Sequence, residues 1–412
     1  MKFSLTNIGK IAQADIEING LTVLGGYNDI GKSTIGKTIF SVIKTISDIE
    51  QETLEAITEQ IEQELIEFSV EIRKITGERF SISLKSQENI EKYISVLLLK
   101  IREELHALSF STTEATKINN LLNSLEERIK KICHPEKNES YKKVFDSINY
   151  SLFRGDIQNN HAVTTESSIV STDEACELEI SLEHGRTISF LIKGDFLFQN
   201  VTLVDSPLVV GWVSAVGVSR THIKETFGHY VFDLLNKIRF STEESYDLIP
   251  DSQRKLVEKI RRIIGGLMFY DRAQRNFVFK QENMVVQPIN LASGIKIFGI
   301  IQMLLAGEMI IPNTVLMIDE PEAHLHPEWQ LKYAEVLTQL VDMGVYVLVS
   351  THSPYMIEAL KHYSDKLQQE KITNFYLGSA GEHGTVFSDV TQNLDALFEL
   401  LAKPMQRLAF ES

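Results

Sequence analysis

The sequence predicts an α/β fold in which the two ends of the chain share one sheet and a helical segment is inserted between them. Three observations carry this. The apolar run Leu21 to Leu24 passes through a glycine-rich loop into a helix-patterned stretch. From Asn290 onward, strands and helices alternate: a helix from Ile295, the strand Val315 to Ile318, a helix near Gln330 to Met343 and the strand Tyr346 to Val349. Such alternation implies a parallel sheet. Between them lies a long stretch of helical spacing with no proline before Pro135.

These features divide the chain into an N-terminal part of a head (1–45), an inserted helical arm (46–150), a β-rich return (151–207), a helical subdomain (208–266) and the C-terminal part of the head (267–412). In the arm, Leu54, Ile57, Ile61, Leu65, Phe68, Ile72 and Ile75 recur at spacings of three and four. That is one apolar stripe on a helix. Read as a single helix from Ser33 to Thr76, it spans roughly 60 Å. A second helical stretch, Gln87 to Ile132, ends before Pro135. The pair reads either as an antiparallel coiled-coil arm or as a plain helical subdomain folded on the head. In the return, Leu178, Ile180 and Leu182 alternate with polar residues, and His184-Gly185 separates them from Thr187 to Ile192, the pattern of a hairpin.

The 412 residues, 43% hydrophobic and 24% charged, suit a globular protein with a large core. There is no run of eighteen apolar residues and no basic, then apolar, leader, so neither a membrane span nor secretion is expected. Cys133 and Cys176 have no metal-ligand spacing and read as reduced thiols, which places the chain in the cytoplasm. A net charge of −15 argues against a surface that clings to nucleic acid as a whole. The basic cluster on a helical pattern, Arg254, Lys255, Lys259, Arg261 and Arg262, reads as a solvated face over an apolar stripe. Weak or no DNA binding by this chain is therefore expected.

The loop GYNDIGKST, Gly26 to Thr34, is GxxxxGK[ST] between a strand and a helix. Its glycines let backbone N–H groups wrap a phosphate at a helix N-terminus. Gly26, Asn28, Asp29, Gly31, Lys32, Ser33 and Thr34 are thus candidate nucleotide-binding residues. Lys32 offers charge to the β- and γ-phosphates, and Ser33 an oxygen to Mg²⁺.

Downstream, the apolar run from Thr314 ends in Asp319-Glu320. The first carboxylate can hold a metal's water shell and the second can polarise an attacking water. The strand Tyr346 to Val349 leads to Ser350, Thr351 and His352, which puts a histidine at the carboxyl edge where open α/β sheets bind ligands. Glu322, His324 and His326 alternate between these segments. They admit a zinc reading, though a structural or interfacial one is favoured. Ser293 and Gly294, ahead of the helical stretch Ile297 to Leu305, read as N-cap residues or as a second anion site offered to another subunit.

Together, GGYNDIGKST, NLASGIK, LMIDEPEAHLHPEWQ and VSTHSP resemble, in that order, the motifs of ABC-type ATPases of the chromosome-maintenance and break-repair kind. They are closer still to the OLD-like ATPases of bacterial anti-phage systems. The resemblance covers roughly residues 1–45 and 195–412. It implies that two heads sandwich ATP in a homodimer or larger homo-oligomer, with Ser293 and Gly294 acting in trans, Glu320 polarising water and His352 sensing the γ-phosphate. The implied cofactors are ATP and Mg²⁺. Ala292-Ser293-Gly294-Ile295 departs from the usual signature by losing its polar last residue. The glutamine expected after a central strand is not evident near Gln199, Asp205 or Ser206. OLD nucleases continue into a metal-dependent TOPRIM domain, whereas no Asp-x-Asp follows His352. The chain is therefore similar to the separate ATPase subunits of the Septu and PARIS defence systems, which implies a separate effector, a nuclease. The alternative is a DNA-repair or chromosome-associated ATPase.

Overall fold

The computed structural model describes residues 1–77, 90–106, 111–133, 136–159, 162–211, 226–323 and 325–401. The chain opens with strands β1 (Lys2–Ile8), β2 (Ile11–Glu17) and β3 (Leu21–Gly25) and helix α1 (Lys32–Ser47). Helices α2 (Ile49–Thr76), α3 (Ile90–His106), α4 (Thr112–Cys133) and α5 (Lys137–Phe153) come next. They precede strands β4 (Glu166–Thr172), β5 (Cys176–Glu183), β6 (Arg186–Gly194) and β7 (Asn200–Val204). Helices α6 (His229–Ile238) and α7 (Asp251–Ile264) lead to β8 (Leu267–Asp271), β9 (Asn276–Gln281) and β10 (Met284–Val286). The chain continues through α8 (Ser293–Ala306), β11 (Thr314–Asp319), α9 (Pro327–Asp342), β12 (Tyr346–Thr351), α10 (Pro354–Lys366), β13 (Thr373–Gly381) and β14 (Gly384–Asp389). Among the described residues, no helix is long and apolar enough to cross a membrane.

Eleven strands form one mixed sheet, in the order β6-β5-β4-β1-β2-β14-β13-β3-β12-β11-β7. Strands β13, β3, β12, β11 and β7 run parallel to their neighbours in that series. Strand β3 is buried throughout and β11 and β12 all but throughout, as their unbroken apolar runs require of strands covered on both faces. The other wing is antiparallel except where β14 pairs with β2 in parallel. Strand β5 there alternates strictly between buried and less buried positions, so only one face meets the core. The two-residue His184-Gly185 turn joins β5 to β6, both residues having positive φ. Strands β8 to β10 make a separate three-stranded sheet. The α/β class expected from the sequence is the one observed.

The structure divides into two units, Met1–Ser47 with Phe145–Ser412, and Asp48–Val144. In the second, Ile57, Ile61, Leu65, Phe68 and Ile72 of α2 pack with Leu97, Ile101 and Leu105 of α3 and Ile118, Leu122, Leu125 and Ile129 of α4. The supposed single helix from Ser33 to Thr76 is two helices broken at Asp48, a poor helix former. The stretch Gln87 to Ile132 likewise holds two helices. The second starts at a capping box, in which the Ser111 N–H and hydroxyl donate to Glu114 at 2.9 and 2.7 Å. The expected helix end at 134–135 lies outside the described residues.

In the first unit, a buried ion network ties the helix after the glycine-rich loop to an outer strand. Asp233 of α6 accepts from Lys44 of α1 at 2.6 Å and from Lys237 at 2.7 Å. Lys237 also donates to Val201 O and Thr202 Oγ1 of β7, at 2.5 and 3.0 Å. Burial alone would raise the Asp233 carboxyl, but the Lys237 and Lys44 ammonium groups outweigh it and hold it below its usual range. Asp233→Ala would take the shared carboxylate from two buried ammonium groups and is expected to cost about 3–5 kcal/mol in denaturant unfolding. Because the folded carboxyl is the stronger acid, its contribution is complete above its unfolded value of about 3.9. It is lost as pH falls through the lower folded value, so the gap between wild type and variant should narrow in acid.

Candidate nucleotide-binding site

The parallel register brings the motif ends together. Asp319 lies opposite Ser350, Ser350 opposite Leu24, and Thr351 opposite Gly25. On the far side Val204 pairs with Ile318, so Asp205 leaves β7 beside Asp319. After β3 the chain turns through Gly26 at φ 141° and Gly31 at φ 90°, values that a side-chain-bearing residue resists. A cavity of about 450 Å³ opens there, lined by Asp29, Gly31, Lys32, Ser33, Thr34 and Glu320, with Gly9, Lys10, Phe153, Asp156 and Gln158 as a further wall.

Lys32 is buried, and its ammonium group donates to the carbonyls of Gly26 at 3.0 Å and Tyr27 at 2.7 Å. The lysine therefore bridges its own loop. Burial lowers its pKa, against the opposing pull of Glu320, Asp319 and Glu322. Tyr27, Asn28 and Asp29 are exposed at the loop tip, where Asp29 pairs with Lys10. Burial raises the Asp319 carboxyl, and Asp205 and Glu320 raise it further, while the Ser33 and Ser350 hydroxyls pull it down. Its Oδ1 is buried with no hydrogen-bond partner. A hydroxyl beside an orphaned carboxylate oxygen, with two more acids near, is a donor set that fits a hard divalent cation. Ser33 and Asp319 would hold it.

Glu320 departs from β11 with φ 47°, in the left-handed region, while its N–H donates to Ser350 O at 2.9 Å. A glutamate held there stores strain of about 1–3 kcal/mol, a recurrent feature of functional sites. The turn leaves its side chain 39% exposed. His352 Nδ1 lies 3.6 Å from Glu320 Oε1 and 3.2 Å from Glu322 Oε1. The sequence offers Glu322 only through the alternation of Glu322, His324 and His326, which admits a zinc reading and gives no place for it at the nucleotide site.

Ser293 and Gly294 are not among the residues lining the cavity. Nor is Ser293 the N-cap of α8: that position is Ala292, which makes no side-chain cap, and Ser293 is the first helical residue. Ile295 and Lys296 donate to Ala292 O, and among the described residues no side chain of the N-cap meets the N–H groups of Ser293 and Gly294. A Cβ on Gly294 would come within 2.9 Å of the Trp329 ring, so this helix start is seated tightly on α9. Gln199 is excluded as the missing glutamine, because it lies at the opposite end of β7, where its N–H bonds Asn313 O. Asp205 occupies the carboxyl edge instead, its carboxylate accepting from Tyr230 at 2.7 Å. His326 caps α9, its Nδ1 accepting from Glu328 N at 3.3 Å, and His324 lies outside the described residues.

Residues 295–357 match the AAA ATPase domain family. Over 62 residues the chain is 42% identical to the Old nuclease of Escherichia phage P2, a match covering 15% of this chain and 10% of that protein. Among solved structures, an SmcHead bound to the C-winged helix domain of ScpA aligns at a TM-score of 0.46 and 11% identity, covering 96% of this chain and 98% of the other. The SMC head domain from Thermotoga maritima aligns at 0.41 and 11%, covering 94% and 98%. Removing the Lys32 ammonium should leave the loop without its only buried cation for a phosphate. Lys32→Ala is expected to weaken binding of a fluorescent ATP analogue at least tenfold in titration, with its unfolding midpoint near that of wild type.

Proposed function

We propose that this chain is an ABC-type ATPase whose heads pair around ATP, and that it serves as the nucleotide-gated sensor and scaffold of an anti-phage defence complex with a separate effector nuclease. The observation that carries the ATPase reading is the meeting of the Lys32 loop, the raised Asp319 carboxyl and the left-handed Glu320 at one sheet edge. The match to the Old nuclease agrees with the OLD-like resemblance from which the defence setting is inferred, although it spans a tenth of that protein.

In this reading, backbone N–H groups of Gly31 to Thr34 and the Lys32 ammonium bind the phosphates. Phe153, Asp156 and Gln158 offer a wall for the nucleoside. Ser33 and Asp319 would hold Mg²⁺, which would supply positive charge against the phosphates. Glu320 orients a water in line with the γ-phosphate and takes its proton as the bond to the β-phosphate oxygen breaks, giving ADP and phosphate. His352 contacts the γ-phosphate. Ser293 and Gly294 present their N–H groups to the ATP of a second copy.

Glu320→Gln should bind ATP yet hydrolyse it at least a hundredfold more slowly, a loss in the range of general-base catalysis. With ATP it should sediment as a dimer or larger species, and adding Ser293→Arg should abolish that shift. Normal turnover in Glu320→Gln, together with nucleotide-independent sedimentation, would overturn the proposal.

The alternative reading, a DNA-repair or chromosome-associated ATPase, needs a basic surface. The cluster on α7 is partly neutralised: Lys259 pairs with Glu335 at 2.7 Å, Arg254 with Asp251 at 3.3 Å and Arg261 with Glu258 at 3.5 Å. Leu256, Val257, Ile260 and Ile264 form its buried stripe. Fluorescence anisotropy with a labelled duplex is expected to show no submicromolar binding at physiological salt, with or without ATP. Tight binding that is lost on reversing these charges would favour the alternative.

A further inference from the structure

We propose that Glu322 is the positioning residue for His352, an assignment that rests on the ATPase reading. Its carboxylate is 5% exposed and reaches the end of β12 from the turn that follows β11. One oxygen, Oε1, accepts from Thr351 Oγ1 at 2.7 Å, His352 N at 2.7 Å and Ser353 N at 3.1 Å. The same oxygen stands 3.2 Å from His352 Nδ1. Ser353 carries the network onward. Its hydroxyl donates to Gln330 of α9 at 2.7 Å and accepts from Met356 N as the N-cap of α10.

These backbone and hydroxyl bonds could be accepted by a neutral amide, so holding the loop does not by itself call for a buried charge. A buried carboxylate is costly to keep, and Oε2 of Glu322 is buried with no hydrogen-bond partner. What the negative charge adds lies at the imidazole. Nδ1 is itself buried and without an aligned hydrogen bond, between the carboxylates of Glu322 and Glu320. Catalytic contacts are often long before ligand arrives and tighten afterwards. A carboxylate facing Nδ1 favours the hydrogen on that nitrogen and fixes the ring plane. Nε2 is then the nitrogen left to meet the nucleotide. Glu322 thus acts on the reaction through His352 without touching ATP.

The test combines a double-mutant cycle with a spectroscopic readout. In single-turnover hydrolysis, Glu322→Gln should slow the wild-type enzyme about tenfold or more while changing the half-saturating ATP concentration less than about twofold. In a His352→Ala background the same change should cost less than about twofold, because the group it acts through is gone. Nitrogen-15 spectra of ring-labelled histidine, taken without nucleotide, should show the His352 hydrogen on Nδ1 in wild type and shifted toward Nε2 in Glu322→Gln. Equal losses in both backgrounds, or an unchanged ring spectrum, would reduce Glu322 to a loop staple and overturn the proposal. If Glu322→Gln fails to fold, Thr351→Val removes one anchor of the same carboxylate and should show a smaller loss, again absent without His352. A wild-type protein that binds ATP but never turns it over defeats the ATPase reading and this assignment together. Turnover with additive mutants defeats only the assignment.

Discussion

Everything at the candidate site depends on the register of parallel strands. Backbone hydrogen bonds between β3, β12 and β11 place Leu24 and Gly25 level with Ser350 and Thr351, and Ser350 level with Asp319. The phosphate loop and the acidic pair are separated by almost three hundred residues of sequence, and no local preference could bring them together. A slip of one residue in β11 would turn Asp319 to the other face and bury the wrong side chains. The apolar runs resist that slip because both faces are covered. The site thus inherits its precision from the core, and Lys44, Asp233 and Lys237 lock α1 to the same sheet through β7.

How far the fold could be read in advance follows from this. The parallel strands announce themselves as short, unbroken apolar runs, and the loop between β3 and α1 has a spacing that few other structures require. The hairpin of β5 and β6 was legible from strict alternation around His184-Gly185. Strands β1 and β2 have burial patterns with no clean period, and the pairings β1–β4, β2–β14 and β3–β13 join segments remote in sequence, which a local pattern does not show. The break at Asp48 was missed for the opposite reason: an apolar stripe continued past it, and periodicity does not see a cap. Ser111 and Glu114 carried a capping-box signal that was present but unused. At the site, the loop and the acidic pair were visible as motifs. The roles of Glu322 and Asp205 depend on which strand ends lie side by side, and that is a tertiary fact.

Two carboxylates in the same unit show how environment separates scaffold from chemistry. Asp233 is met by two ammonium groups, and its carboxyl is held down. Asp319 has hydroxyls for neighbours and further acids beyond them, and its carboxyl is pushed up. Lys32 makes no hydrogen bond to it, since that ammonium group is turned to the loop carbonyls of Gly26 and Tyr27. The first arrangement is complete within the chain. The second concentrates negative charge where burial penalises it, and leaves an oxygen without a partner. On the proposed reading, a divalent cation accompanied by an anionic nucleotide would neutralise that charge. The same reasoning extends along the edge to Glu320, whose left-handed backbone is a local cost held in place by the bond from its N–H to Ser350 O. Strain at Glu320 and excess charge at Asp319 are adjacent in sequence. On the proposed reading both would be offset by the same ligand, which would tie nucleotide binding to the geometry of the residue assigned to polarise the water.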